Sequence, residues 1–140
     1  MADGSDKVAI AALTRAVTGA GASVKLVAPK VGSVKLSDGT TLTVDGQLAG
    51  TRSVMFDAVA IMLTISAARR LMSESAAIDF VRDAFGHLKA LMLDQGGQTL
   101  LQAAGVQPDA GVLTSADIAG FVAAAKTRQW DRERFVRSLA

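Results

Sequence analysis

The sequence predicts a doubly wound α/β domain with a mainly parallel sheet and an inserted β-hairpin, and three observations carry that expectation. Helical and strand-like segments alternate along the chain. Two short runs, 56–63 and 90–93, are apolar almost without interruption, as suits strands covered by helices on both faces. The 140 residues, 50% hydrophobic and 20% charged, are the size of one domain spanning 1–140. Folding a chain of that length buries roughly 68–70% of its unfolded surface.

The elements follow in order. Lys7 to Val17 sets Val8, Ala11 or Ala12 and further small residues at helical spacing behind Asp6, a good N-cap, and Gly19-Ala20-Gly21 ends the helix. Ser23 to Ala28 is short, mostly apolar and stopped by Pro29, which predicts a strand. Ser33 to Val44 reads as a hairpin around Asp38-Gly39. A two-residue loop scatters its apolar residues over both faces, whereas a three-residue loop pairing Ser37 with Thr41 gathers Val34, Leu36, Leu42 and Val44 into a covering flap.

Phe56 to Leu63 predicts a fully buried central parallel strand. Beyond the polar break Ser73-Glu74-Ser75, Ile78, Val81, Phe85 and Leu88 share one helical face, with Asp79, Arg82 and Asp83 on the other. Ala90 to Leu93 is another buried strand, followed by a turn at Asp94-Gln95-Gly96-Gly97 and a helix from Thr99 to Ala104. Gly111 to Leu113 is the last strand. Ser115 or Thr114 then caps a final helix with Asp117 in its first turn and Ile118, Phe121 and Val122 facing inward. A right-handed crossover starts from the sheet it returns to, yet only 1–5 precede the first helix. The sheet's first strand is therefore expected to be missing, whether cut away, supplied by another chain or dispensed with.

Composition excludes more chemistry than it supplies. The absence of cysteine removes disulfides, thiolate metal sites and cysteine nucleophiles, and fits a reducing compartment. The run Ala58 to Leu63, extended by Ile65, falls far short of the roughly 20 residues that span a bilayer. The start, Met-Ala-Asp-Gly-Ser-Asp, lacks the basic and apolar regions of a secretory signal. A cytoplasmic protein without membrane contact is expected. Fifteen Lys and Arg against thirteen Asp and Glu leave a net charge of +2, so nucleic acid is not an expected partner. The tail from Lys126 to Arg137, where Arg128, Arg132, Arg134 and Arg137 alternate with Asp131 and Glu133, reads as a solvated helical end.

Ala2-Asp3-Gly4-Ser5-Asp6, leading into an Ala-rich helix, resembles the turn after strand one in the C-terminal domain of large-subunit haem catalases. Gly21 to Gly32, the flap Leu36-Ser37-Asp38-Gly39-Thr40, Ser53 to Val59, Phe80 to Lys89 and Trp130-Asp131-Arg132-Glu133 are each similar to that domain, in order and over nearly the whole chain. The resemblance implies a flavodoxin-like fold related to class I glutamine amidotransferases and to small cysteine hydrolases and chaperones. It also implies a non-catalytic accessory role, structural and chaperone-like, because the haem and the peroxide chemistry belong to a separate, larger region. No haem-ligating tyrosine or distal histidine can be matched, and the sequence has no tyrosine. No cofactor is expected in this chain. The implied partners are a catalase core or identical subunits, with unfolded proteins as further clients.

Related hydrolases carry their nucleophile on a sharp strand-to-helix turn. The matching turn holds Asp94, Gln95, Gly96 and Gly97, without Cys or Ser, and reads as a vestigial elbow at Asp94, Gln95 and Gly96. The rival reading is a hydrolase or amidotransferase-like enzyme with a non-cysteine nucleophile near Asp94. Leu63-Thr64-Ile65-Ser66 departs from the Pro-Gly-Gly type of loop common in such domains. His87, the sole histidine, suits a helix end, and Asp3 and Asp6 suit turn and cap. No catalytic, cofactor-binding or metal-ligating residue is expected. Gly19 to Gly21 and Gly96-Gly97 lack P-loop or dinucleotide spacing, which leaves a flavin or nucleotide module only the helix N-terminus after Gly97 for an anion. The sole Trp, Trp130, lies between Arg128 and Arg132, and the three form a candidate interface, with an internal anchor as the alternative.

Overall fold

A computed structural model of the chain describes residues 1–136. Ala2 to Ser5 form a tight turn, closed by the Ser5 N–H on Ala2 O, in which Gly4 takes a φ of +87°. Helix α1 (Lys7–Gly19) then starts at Asp6, whose carboxylate accepts the Ala9 N–H at 3.0 Å, and buries Ile10 and Leu13.

Strand β1 (Val27–Ala28) is shorter than its sequence suggests, because Ser23 to Leu26 lie outside any ladder. The hairpin of β2 (Ser33–Lys35) and β3 (Thr41–Thr43) follows, and β4 (Gly46–Gln47) pairs in parallel with β1. In the hairpin Lys35, not Ser37, opposes Thr41. The loop is Ser37-Asp38-Gly39, closed by Leu36 N–H to Thr40 O at 2.8 Å, with Gly39 at φ +84°. Glycine occupies the left-handed position such a loop requires, and that fixes the register. The difference from expectation is two residues, which keeps every side chain on its face. Val34, Leu36, Leu42 and Val44 accordingly pack together over Ile10 and Leu13.

Strands β5 (Ala58–Ile61), β6 (Ala90–Leu93) and β7 (Val112–Thr114) form a parallel sheet in that order. Helices α2 (Ile65–Leu71) and α3 (Ser75–Gly86) connect β5 to β6, and α4 (Gln95–Ala103) connects β6 to β7. Helices α5 (Ile118–Ala124) and α6 (Glu133–Val136) follow. Side chains alternate across the sheet. Val59, Ile61, Leu91 and Leu93 meet α2, α3 and α4 in one core, while Met62, Ala90 and Met92 meet α1, α5 and the hairpin in the other. Helices on both faces of a parallel sheet make the fold doubly wound and flavodoxin-like.

Several boundaries differ from the sequence reading. The 56–63 run is an edge strand, with Ala58 and Ala60 half-buried, and β6 takes the centre with all four residues buried. Helix α2 was not foreseen. Thr64 caps it by accepting the Ala67 N–H, and Ala67, Ala68 and Leu71 turn inward. Helix α4 begins at Gln95 rather than Thr99, so most of the expected turn is its first turn. Asp117 is the cap of α5, accepting the Gly120 N–H, rather than a first-turn residue. The tail is not a solvated helix throughout, since Trp130–Arg132 is a 3₁₀ turn that buries Arg132, and Arg137 lies outside the described residues.

Candidate functional site

Ligands of open α/β sheets bind beyond the carboxyl ends of the strands. At that crest Asp94 follows β6 directly. Its Oδ1 accepts the Gly97 N–H and its Oδ2 the Leu63 N–H, both at 2.8 Å, so one carboxylate caps α4 and ties it to the end of β5. Gln95 is exposed, whereas Gly96 and Gly97 are buried where α4 presses on β5. A Cβ on Gly96 would stand 2.1 Å from Leu63 O, and one on Gly97 2.4 Å from Ile61 O. Ser5 is fully buried beside them, its Oγ donating to Met62 O at 2.7 Å and accepting the Ala2 N–H at 3.0 Å. Asp3 accepts the Lys35 N–H at 2.9 Å.

The side chains of Asp94, Ser5 and Asp3 are each engaged with backbone. Among the described residues Leu88 is the one non-glycine at positive φ, so the 94–97 turn is not held in the left-handed region. His87 caps the C-terminus of α3, is exposed, and lies at the other end of β6 from Asp94. No group of three or more His, Cys, Asp or Glu able to hold a metal occurs among the described residues.

The three residues grouped around the tryptophan separate in space. Trp130 is 65% exposed, and the half-buried Arg128 reaches across to Asp57 O at 3.3 Å. Arg132 is only 2% exposed. Its Nε and Nη2 grip Asp109 at 2.6 and 2.9 Å, its Nη1 donates to Phe85 O and Lys89 O, and its guanidinium lies 3.8 Å above the Phe85 ring. Desolvation pushes the Asp109 carboxyl up, but the paired Arg132 donors and charge and the Gly111 N–H outweigh it and hold the group below the usual carboxylate range.

Sequence reasoning missed Lys89. It is 1% exposed, and its Nζ donates to Ser53 O and Phe56 O, which anchors the loop before β5 to the start of β6. Burial first, and then the charge of Arg128, lower its pKa against the opposing pull of Asp57. Its signal was a lysine inside the apolar stretch Leu88 to Leu93. A third feature is a cavity of about 1290 Å³ between β1 and β5.

The sheet, its two helical layers and the capped helix after β6 define a doubly wound, flavodoxin-like α/β domain, a fold shared with DJ-1 proteins. Drosophila melanogaster DJ-1beta superposes with a TM-score of 0.75 at 16% identity, covering 99% of this chain and 92% of that one. Oxidized Toxoplasma gondii DJ-1 gives 0.72 at 13% identity, covering 99% and 93%. At such identity the likeness is one of fold. Within that fold the chain belongs to the family of the C-terminal domain found in long catalases, whose pattern matches residues 1–135. Catalase C of Rhizobium meliloti (strain 1021) is 36% identical over 141 residues, 96% of this chain and 20% of that protein. Catalase-1 of Neurospora crassa is 32% identical over 118 residues, 84% of this chain and 16% of that protein. The chain thus spans about a fifth of the length of the curated relatives it matches.

The residues present do not fit a haem. The sequence has no tyrosine or cysteine, its one histidine stands exposed at a helix end, and the large cavity is lined without it.

Proposed function

We propose that this domain is a non-catalytic accessory module of the long-catalase kind, working in the cytoplasm by burying surface against a catalase core or an identical subunit. The observation that carries the reading is the contrast between crest and surface. At the crest the Asp94 carboxylate is spent on two backbone N–H groups, which suits a vestigial elbow at Asp94, Gln95 and Gly96. On the surface Val54, Met55 and Trp130 are exposed apolar side chains, and Trp130 with Arg128 forms the docking patch while Arg132 holds the segment from within. The same exposed groups support chaperone-like contact with unfolded proteins.

The test is to mix the chain with a long-catalase core from which the C-terminal domain has been removed and to follow sedimentation and the thermal stability of the core. Association and a core stabilised by several degrees are expected. Trp130→Ala should weaken association by about 2 kcal/mol, roughly thirtyfold. Absence of association at micromolar concentration overturns the reading. Turnover of small esters or amides that disappears in Asp94→Ala would establish the hydrolase alternative instead.

A further inference from the structure

A smaller cavity, of about 350 Å³, opens between α2 on one side and the 1–5 turn and the end of β1 on the other. None of Asp94, Gln95 and Gly96 lines it, so it is separate from the crest turn. Its floor is apolar, with Ala2, Val34, Ala67 and Leu71 all buried. Its rim is charged. Asp3 and Lys30 stand on the wall formed by the turn and β1, and Arg70 and Glu74 on the wall formed by α2 and the turn after it. All four are exposed, and among the described residues none of them forms an ion pair with another. One oxygen of Asp3 accepts the Lys35 N–H at 2.9 Å, and Arg70 Nη1 donates to Ser66 Oγ at 3.1 Å. The other Asp3 oxygen and the remaining guanidinium donors are uncommitted, and the side chains of Lys30 and Glu74 have no hydrogen-bond partner among the described residues.

We propose that this cavity binds a dipeptide with apolar side chains and free termini, its carboxylate on Arg70 and its ammonium on Asp3. The charge pattern selects a zwitterion. Each wall carries one charge of each sign. An anion therefore meets Asp3 and Glu74 beside its cationic partners, a cation meets Lys30 and Arg70, and a neutral apolar guest takes water from all of them without replacing it. A ligand that carries both charges satisfies both walls. The two charges must also lie well apart. A cavity of about 350 Å³ is on the order of 7 Å across, which is the reach of two extended residues at about 3.3–3.6 Å each. A single amino acid, whose charges share one α-carbon, spans about half of that. The planar guanidinium of Arg70 suits the carboxylate end, because it can grip both oxygens at once. The buried floor then takes the apolar side chains, in the usual division of a small-molecule site into an apolar lining and a few polar groups that fix orientation. The inference goes beyond the accessory role and stands whether or not a catalase core docks at Trp130.

The experiment titrates the full chain with the dipeptide Val-Leu and follows amide chemical shifts and calorimetry. One saturable site with a Kd on the order of 1 mM is expected, as suits a ligand of this size, with the shifts gathered at Ala2, Lys30, Ala67 and Leu71. N-acetyl-Val-Leu, which lacks the ammonium, and Val-Leu amide, which lacks the carboxylate, should each bind about tenfold more weakly. Arg70→Ala should weaken Val-Leu about tenfold yet leave the amide unchanged, and Asp3→Asn should weaken Val-Leu about tenfold yet leave the acetylated peptide unchanged. Both residues are exposed, so an unaltered melting temperature in each variant checks that the fold is intact. No binding of Val-Leu at about ten times that Kd, a blocked peptide that binds as tightly as the free one, or an Arg70→Ala loss as large for the amide as for Val-Leu overturns the proposal. So does free leucine bound as tightly as Val-Leu, since the separation of the two charges would then not matter.

Discussion

The two parallel ladders, β5-β6-β7 and β1-β4, teach what makes a strand. Strand β6 has a parallel neighbour on each side and a helical layer on each face, and all four of its residues are buried. Strand β1 has one neighbour and only two residues, although Ser23 to Ala28 is no less β-prone than Ala90 to Leu93. The difference lies in the neighbours. A ladder on both edges lets backbone pairing and apolar burial reinforce each other, while a strand next to open space pairs only where its one partner reaches.

The largest test of this contrast is Leu91→Ala at the closed centre. Leu91 is fully buried, and its truncation should cost about 4 kcal/mol in denaturant unfolding. Arg132→Met comes next. It removes a cation gripping Asp109, Phe85 O and Lys89 O, and about 3 kcal/mol should be lost, with the loss centred on the β6 and β7 side in hydrogen exchange. Gly97→Ala sets a methyl 2.4 Å from Ile61 O where α4 meets β5, for about 2 kcal/mol.

A smaller effect is the response to acid. Asp109 titrates below its unfolded value, so its contribution is complete above the unfolded pKa near 4 and is lost as pH falls through the folded value. Asp38, held down chiefly by the Lys7 hydrogen bond and then by Thr40, titrates with the same sign, so the difference between wild type and Asp109→Asn isolates Asp109. Acid unfolding from pH 5 to 2 should be shallower in that variant. The smallest effect is expected in the β1-β4 ladder, where Val27→Ala should change stability by less than about 1 kcal/mol because Val27 is only half-buried. A loss as large as that of Leu91→Ala would show that the two ladders are equally closed.

What the sequence reveals divides along the same line. Ala90 to Leu93 and the helix behind Asp6 are legible because local pattern and tertiary context agree there. The hairpin face is legible from alternation, but its loop position depends on where Gly39 falls, a conformational matter that side-chain pattern does not report. Helix α2 is hidden because seven residues give too little periodicity. Gly96 and Gly97 suggest a turn in sequence yet serve the close packing of α4 on β5, a contact between segments distant in the chain. The site was legible to the level of Asp94 as the residue that follows β6. That Arg132 turns inward was not, because its partner Asp109 and the carbonyls of Phe85 and Lys89 come together only in the folded chain.

Arg132 also sets a schedule. The carbonyls it meets lie in the last turn of α3 and just ahead of β6, made much earlier in synthesis than the arginine itself. As chains emerge from the ribosome N-terminus first, Phe85 O is already met by the Leu88 N–H, but Lys89 O waits for its guanidinium donor until the segment carrying Arg132 arrives. The middle of the sheet is thus closed only after residue 132 has been made, and a ribosome that stops short of that codon leaves β6 without its clasp.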